Sequence, residues 1–307
     1  MDIKKIYESI VFENNKIDEA GLELGNQAYP KSDQILIMAG GAGSGKSFIL
    51  NHLLLFEGKT LNPDNTLITM VHLGAKYPES SISRKFKKAT GKEFKDIDLK
   101  NSEDVNLLYD FVSDLELHSK LEWCFFNSVS SLPENYERPN VIFDVQMRNL
   151  ETVDNILELA EKGKYKPENI HVVWVLNEFK TAYAQNLSRD RKIDPTLLKD
   201  YHIGVAETFN DLIVNTDEWK DLIGGDIWIV FNKKGVDIHT VLTVGNSSLI
   251  GRNKQKVTVN LDPDSKNPYF AVQLKEKGKP AKSWKEINTE ILRKIRRYVP
   301  KDVRNLF

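Results

Sequence analysis

The residues Gly40-Gly41-Ala42-Gly43-Ser44-Gly45-Lys46-Ser47 match the pattern G-x-x-x-x-G-K-[ST] at every defined position. The residue types suit phosphate binding. Glycines let the backbone turn with its N–H groups facing inward, where larger side chains would block phosphate oxygens. A helix beginning at the end of the loop adds unpaired N–H groups and the positive end of its dipole. Lys46 is placed to reach the β- and γ-phosphates of a nucleoside triphosphate, and the Ser47 hydroxyl to coordinate magnesium. The pattern predicts ATP with Mg2+ as ligand and Gly40 to Ser47 as its binding residues. Farther along, Arg189 and Arg191 stand two apart in Asn186-Leu187-Ser188-Arg189-Asp190-Arg191. On a loop or fraying helix end they could converge on a transferring phosphoryl group; on a surface helix they would be solvated charges.

These groups need a scaffold. Ile35-Leu36-Ile37-Met38-Ala39 is a short apolar run followed by glycine, the mark of a buried strand. Phe48, Ile49, Leu53 and Phe56 then recur at helical spacing, so strand, turn and helix follow in order. Residues 61 to 100 are polar and harder to read, with a basic cluster at Arg84, Lys85, Lys87 and Lys88. Ser102 is the expected N-cap of the next helix. Further strands are expected at Val141 to Phe143, ending at Asp144, at Ile170 to Leu176, and at Ile227 to Phe231. Asp194-Pro195 reads as the cap and first-turn proline of a helix with Leu198, Tyr201, Val205, Phe209 and Leu212 on one stripe.

Strands alternating with helices predict an α/β fold, a P-loop three-layer sandwich with a mainly parallel sheet. After residue 235 the composition changes. Val241 to Val244, Lys256 to Asn260 and Tyr269 to Leu274 read as short antiparallel strands. Ser283-Trp284-Lys285-Glu286 then matches a capping box before a final amphipathic helix. The expected organisation is an N-terminal extension over 1–33, a core over 34–235 and a small strand-rich α+β appendage over 236–307.

Second motifs separate the classes of P-loop protein. A GTPase needs D-x-x-G and N-K-x-D, but here the stretches read Asp144-Val145-Gln146-Met147 and Asn232-Lys233-Lys234-Gly235. A motor-type ATPase usually follows its strand-end aspartate with a water-activating glutamate, and Val145 stands there instead. A kinase remains.

With these residues in view, the chain resembles the zeta-toxin-like P-loop kinases, relatives of polynucleotide kinases, and in particular phage-encoded members. The resemblance covers about residues 34 to 232. It rests on Met38 to Ser47, on Asn140-Val141-Ile142-Phe143-Asp144-Val145-Gln146-Met147-Arg148 and on Val172 to Arg191. It implies a kinase core with a lid carrying Arg189 and Arg191. The family's acidic residue after the P-loop helix and the next strand maps onto Asp64, which would accept or orient the acceptor hydroxyl proton. Arg148 would hold a substrate phosphate, and Asp144 would contact magnesium through water. Val145 and Gln146 replace the family's glycine and threonine, a departure in the substrate pocket.

Composition narrows the remaining roles. With 40% apolar and 28% charged residues the chain is an ordinary globular protein, and its longest apolar runs are too short to span a bilayer. One cysteine, Cys124, excludes an internal disulfide and fits a reducing cytoplasm; among Trp123, Phe125 and Phe126 it reads as a small buried hydrophobe. The six histidines show no metal-ligand spacing. The tryptophans are expected in the core. From Lys275 onward eleven Lys and Arg face four acids, so this end could contact nucleic acid. The leading expectation is an ATP- and magnesium-dependent phosphotransferase acting on a hydroxyl of a nucleotide, nucleotide-sugar or nucleic-acid end. A nucleic-acid-associated NTPase and an ATP-binding regulatory protein without turnover stay open beside it.

Overall fold

The structure, a computed structural model, describes residues 30–187, 193–215, 219, 221–232, 242–244, 255–256 and 270–307. Among the described residues, eight strands form one sheet in the order β2-β3-β1-β4-β5-β8-β6-β7. They are β1 (Ile35–Ala39), β2 (Lys59–Leu61), β3 (Val141–Asp144), β4 (Ile170–Asn177), β5 (Ile227–Asn232), β6 (Leu242–Val244), β7 (Gln255–Lys256) and β8 (Phe270–Lys275). The first five run parallel. The fold is therefore α/β with a mainly parallel sheet, as the alternation of elements implies.

The apolar runs are continuous because both faces of the sheet are covered. Ile35, Ile37 and Ala39 of β1 enter one core, and Leu36 and Met38 enter the other, the period-two alternation of a strand. On the second face the P-loop helix α1 (Lys46–Ile49) continues as a π-helical segment, Leu50–Leu54, which brings Ile49, Leu50, Leu53 and Leu54 onto Met38, Val173 and Trp228. On the first face lie α6 (Leu150–Lys162), α8 (Pro195–Val214) and the terminal helix α9 (Thr289–Tyr298), together with part of α5 (Leu117–Ser130).

Between β2 and β3 the chain forms a helical layer from α2 (Pro63–Lys76), α3 (Ser81–Thr90), α4 (Ser102–Asp114) and α5. It has its own apolar cluster, in which Phe86 stacks on Phe94 at 4.1 Å and meets Phe111 edge-on at 5.1 Å. Asn101, rather than Ser102, caps α4, its side chain accepting from the Glu103 N–H.

The sheet continues across residue 235. β8 pairs antiparallel with β5, whereas β6 lies parallel to both β8 and β7, not antiparallel as the sequence suggests. The capping box at Ser283 and Glu286 starts a single 3-10 turn, and Asn288 caps the helix that follows. Ile291, Ile295, Tyr298, Val303 and Phe307 then complete the core of the first face. Several cations of this segment turn inward: Lys275 donates to the Gly224 and Gly225 carbonyls, and Lys294 is buried.

Two core expectations fail locally. Trp123 is half exposed, with the Lys162 ammonium 4.1 Å from its ring centre, and Cys124 beside it is only partly buried. Among the described residues, no helix is long and apolar enough to cross a membrane.

Candidate active site

The chain visits β2 and β3 on one side of β1 before it crosses to β4 on the other. A crevice outside the carboxyl ends of the strands, at such a reversal of order, is where open α/β sheets bind ligands. The polar residues gather there: Asn62 follows β2, Gly40 follows β1, and Asp144, Asn177 and Asn232 end β3, β4 and β5.

The loop from Gly40 to Gly45 is tightly enclosed. A Cβ on Gly40 would press on the Ser44 hydroxyl and the Val175 carbonyl, and one on Gly43 would meet the Ala182 carbonyl. Gly45 precedes α1 with φ 86°, a left-handed conformation that glycine adopts without strain. The Lys46 ammonium donates to the Gly40 carbonyl at 2.8 Å and lies 3.6 Å from Asp144 Oδ1. The other carboxylate oxygen, Asp144 Oδ2, accepts from Asn62 Nδ2 at 2.9 Å. Asn62 also caps α2, its Oδ1 accepting from the Asp64 N–H at 2.8 Å. One amide thus joins the strand-end carboxylate to the turn that holds Asp64.

Asp64 is exposed in the first turn of α2, two residues along from the group that touches Asp144. Ser47 is exposed at the start of α1. Arg148 is exposed as well, its guanidinium carbon 5.2 Å from the centre of the Tyr201 ring on α8. Just before it, Met147 is buried with φ 51°, so the chain turns sharply between Asp144 and Arg148. Val145 donates its N–H to the Met38 carbonyl, and no carboxylate occupies its position. Arg189 and Arg191 lie outside the described residues. At the base of their segment, Asn186 on α7 (Phe179–Leu187) donates to the Ile193 carbonyl and accepts from its N–H.

The buried groups fit a phosphate and a hydrated cation. Ser44 is 1% exposed, and among the described residues its hydroxyl has no hydrogen-bond partner, while Asp144 Oδ1 takes no hydrogen bond and faces the charge of Lys46. Unpaired buried acceptors beside a glycine loop are costly unless a ligand meets them.

No family model matches this chain. No curated protein matches it either. Solved structures do. One is a chain of the AvrRxo1-ORF1:-ORF2 complex with ATP, at TM-score 0.42 and 13% identity over 68% of this chain and 56% of that one. Another comes from the PezAT chromosomal toxin–antitoxin system of Streptococcus pneumoniae, at TM-score 0.40 and 13% identity over 66% and 70%. The match thus spans little more than half the length of the AvrRxo1 chain. Likeness this distant speaks to neither activity nor substrate.

Three further residues enter the site: Asn232, which opens the stretch compared with N-K-x-D, and Asn177 and His202, which no motif singles out. Asn177, His202 and Asn232 each donate a side-chain N–H to a carbonyl of the glycine loop. A polar residue closing an apolar strand run was the available signal for Asn177 and Asn232. His202 gives none, since on sequence it is one more histidine on a helix. It is buried, donates through Nε2 to the Ala42 carbonyl at 2.9 Å, and meets the Phe179 ring edge-on at 5.4 Å. Burial, with some repulsion from Lys46, pushes its pKa down to about 4, so the ring is neutral with its proton on Nε2.

Proposed function

We propose that this protein is an ATP- and magnesium-dependent phosphotransferase that moves the γ-phosphoryl group to a hydroxyl of a nucleotide, nucleotide-sugar or nucleic-acid end. The observation that carries this reading is the Gly40–Lys46–Asp144–Asn62 chain at the strand ends, with Val145 where a hydrolase would place its water-activating carboxylate. Lys46 exchanges the Gly40 carbonyl for β- and γ-phosphate oxygens when a triphosphate enters. Ser47 and Asp144 would hold magnesium, which supplies charge neutralisation at the phosphates.

The acceptor side follows from the elements beyond β2 and β3. Asp64 on α2 takes or orients the hydroxyl proton, and Arg148 holds a phosphate of the acceptor against the face of α8. Arg189 and Arg191 neutralise charge on the transferring group. The helical layer from α2 to α5 forms the wall against which an acceptor is selected.

Incubation with γ-labelled ATP and a panel of nucleotides, nucleotide-sugars and oligonucleotides tests this reading. Label should appear on one acceptor class and vanish with Lys46→Ala. Release of label only as inorganic phosphate, stimulated by DNA or RNA, would replace the kinase with a nucleic-acid-associated NTPase.

A further inference from the structure

We infer that Asn177, His202 and Asn232 form a brace that holds the phosphate cradle open in its binding shape before any ligand arrives, with His202 as its central positioning residue. The inference rests on the phosphotransferase reading only for the identity of the ligand; the brace itself is a matter of backbone geometry.

Every carbonyl from Gly40 to Ser44 has a donor. Gly40 receives Lys46 Nζ at 2.8 Å, and Gly41 receives the Ser44 N–H at 3.1 Å. Ala42 receives His202 Nε2 at 2.9 Å, Gly43 receives Asn177 Nδ2 at 3.2 Å, and Ser44 receives Asn232 Nδ2 at 2.7 Å. The last three donors come from α8, β4 and β5, and all three residues are buried. In a trans peptide the carbonyl of one residue and the N–H of the next point in opposite directions. Drawing the carbonyls of Ala42 and Ser44 onto these side chains therefore aims the N–H groups of Gly43 and Gly45 the other way. A glycine-rich segment left to itself would sample many conformations and lose them on binding. Three rigid anchors remove that cost in advance.

The packing around the brace agrees. A Cβ on Gly41 would strike the His202 ring, and one on Gly45 would strike the Asn232 amide. The loop and its anchors are thus in contact, and the donors cannot be enlarged or withdrawn independently. Asn232 closes β5 and turns its amide onto the loop.

Titration calorimetry with Mg-ATP and, separately, inorganic tripolyphosphate tests the brace without requiring turnover. His202→Leu keeps apolar bulk and deletes the donor. His202→Gln restores one, because its amide nitrogen is as many bonds from Cβ as imidazole Nε2. The expected result is at least a tenfold rise in Kd for both probes with Leu and recovery to within about threefold of wild type with Gln. Asn177→Ala and Asn232→Ala should weaken both probes too, and they carry the test if the Leu variant does not fold. Equal weakening for both probes marks a cradle effect, since tripolyphosphate has no base. A folded His202→Leu protein with wild-type Kd for both probes, or a folded Gln variant as weak as Leu, would overturn the inference. Binding of both probes with no transfer to any acceptor would instead sink the phosphotransferase reading, leaving the brace to be judged on the Leu–Gln comparison.

Discussion

At the residue scale, Asn62 shows how much one short side chain can organise. Its Nδ2 reaches Asp144 and its Oδ1 caps the helix that begins with Pro63 and Asp64. Two substitutions separate these roles. Asn62→Asp keeps the cap, because Asp and Asn cap helices about equally, but sets a second carboxylate beside Asp144. The two carboxylates repel, so stability falls although the cap is kept, while the added charge draws Lys46 away from the triphosphate and the KM for ATP rises several-fold. Asn62→Ala loses the cap, which costs about 1 kcal/mol of stability. It also leaves Asp144 unoriented, so that kcat falls. Thermal melts and steady-state kinetics on both proteins distinguish the roles. Equal kcat and KM in wild type and both variants would show that the Asn62–Asp144 bond has no part in transfer.

At the element scale, the segment after the glycine loop is the most unusual. The segment makes one α-helical turn and then widens to π geometry, closing when Leu55 at φ 52° donates to the Leu50 carbonyl at 3.0 Å. A left-handed leucine is strained by about 1–2 kcal/mol. Leu55 is 64% exposed and so packs little in return. Leu55→Gly should therefore raise stability by about 0.5–1 kcal/mol, measured by urea unfolding; a lower midpoint would mean the side chain has a partner in solution. Such geometry is invisible to periodicity, which assigns an ordinary helix from Lys46 to Phe56. The parallel strands β1, β3, β4 and β5 were legible because both their faces are buried, leaving unbroken apolar runs. The layer between β2 and β3 was not. Its cluster is assembled from residues far apart, Leu67, Phe86, Phe94 and Phe111, and no single window of sequence contains enough of them. The glycine loop is local and could be read outright, whereas its anchors Asn177, His202 and Asn232 meet it only through the sheet. Asp144 meets Lys46 and the Asn62 amide, and Arg148 meets Tyr201, contacts between distant elements that no spacing reports.

At the scale of the whole molecule, two buried histidines tie stability to pH. His202 lies under the cradle, at the carboxyl ends of the strands. His171 lies at the opposite end, accepting the Asp226 N–H at Nδ1 and donating from Nε2 to Gln34. Burial holds the His171 pKa well below its ordinary value, against the pull of Asp226, and a proton on Nδ1 would also displace the Asp226 N–H. Burial likewise lowers His202, to about 4. Both groups bind a proton more readily in the unfolded chain, whose histidines titrate near 6.5. The unfolded state therefore carries more protons between about 4 and 6.5, and stability rises with pH across that window. Carboxylates held low by cations act in a different range. Glu93, bonded to Lys87 and Lys95, loses its contribution as pH falls through its depressed value of about 2. The interval from pH 4.5 to 6.5 thus reports mainly on the histidines. The urea midpoint should climb steadily from pH 4.5 to 6.5 and level off above it. In the double variant His171→Asn, His202→Gln, which keeps an acceptor at the first site and a donor at the second, most of that slope should disappear. A wild-type midpoint that stays flat over this interval would mean that both rings take up protons in the folded protein as easily as in water. Burial of the two sites would then be looser than their packing implies.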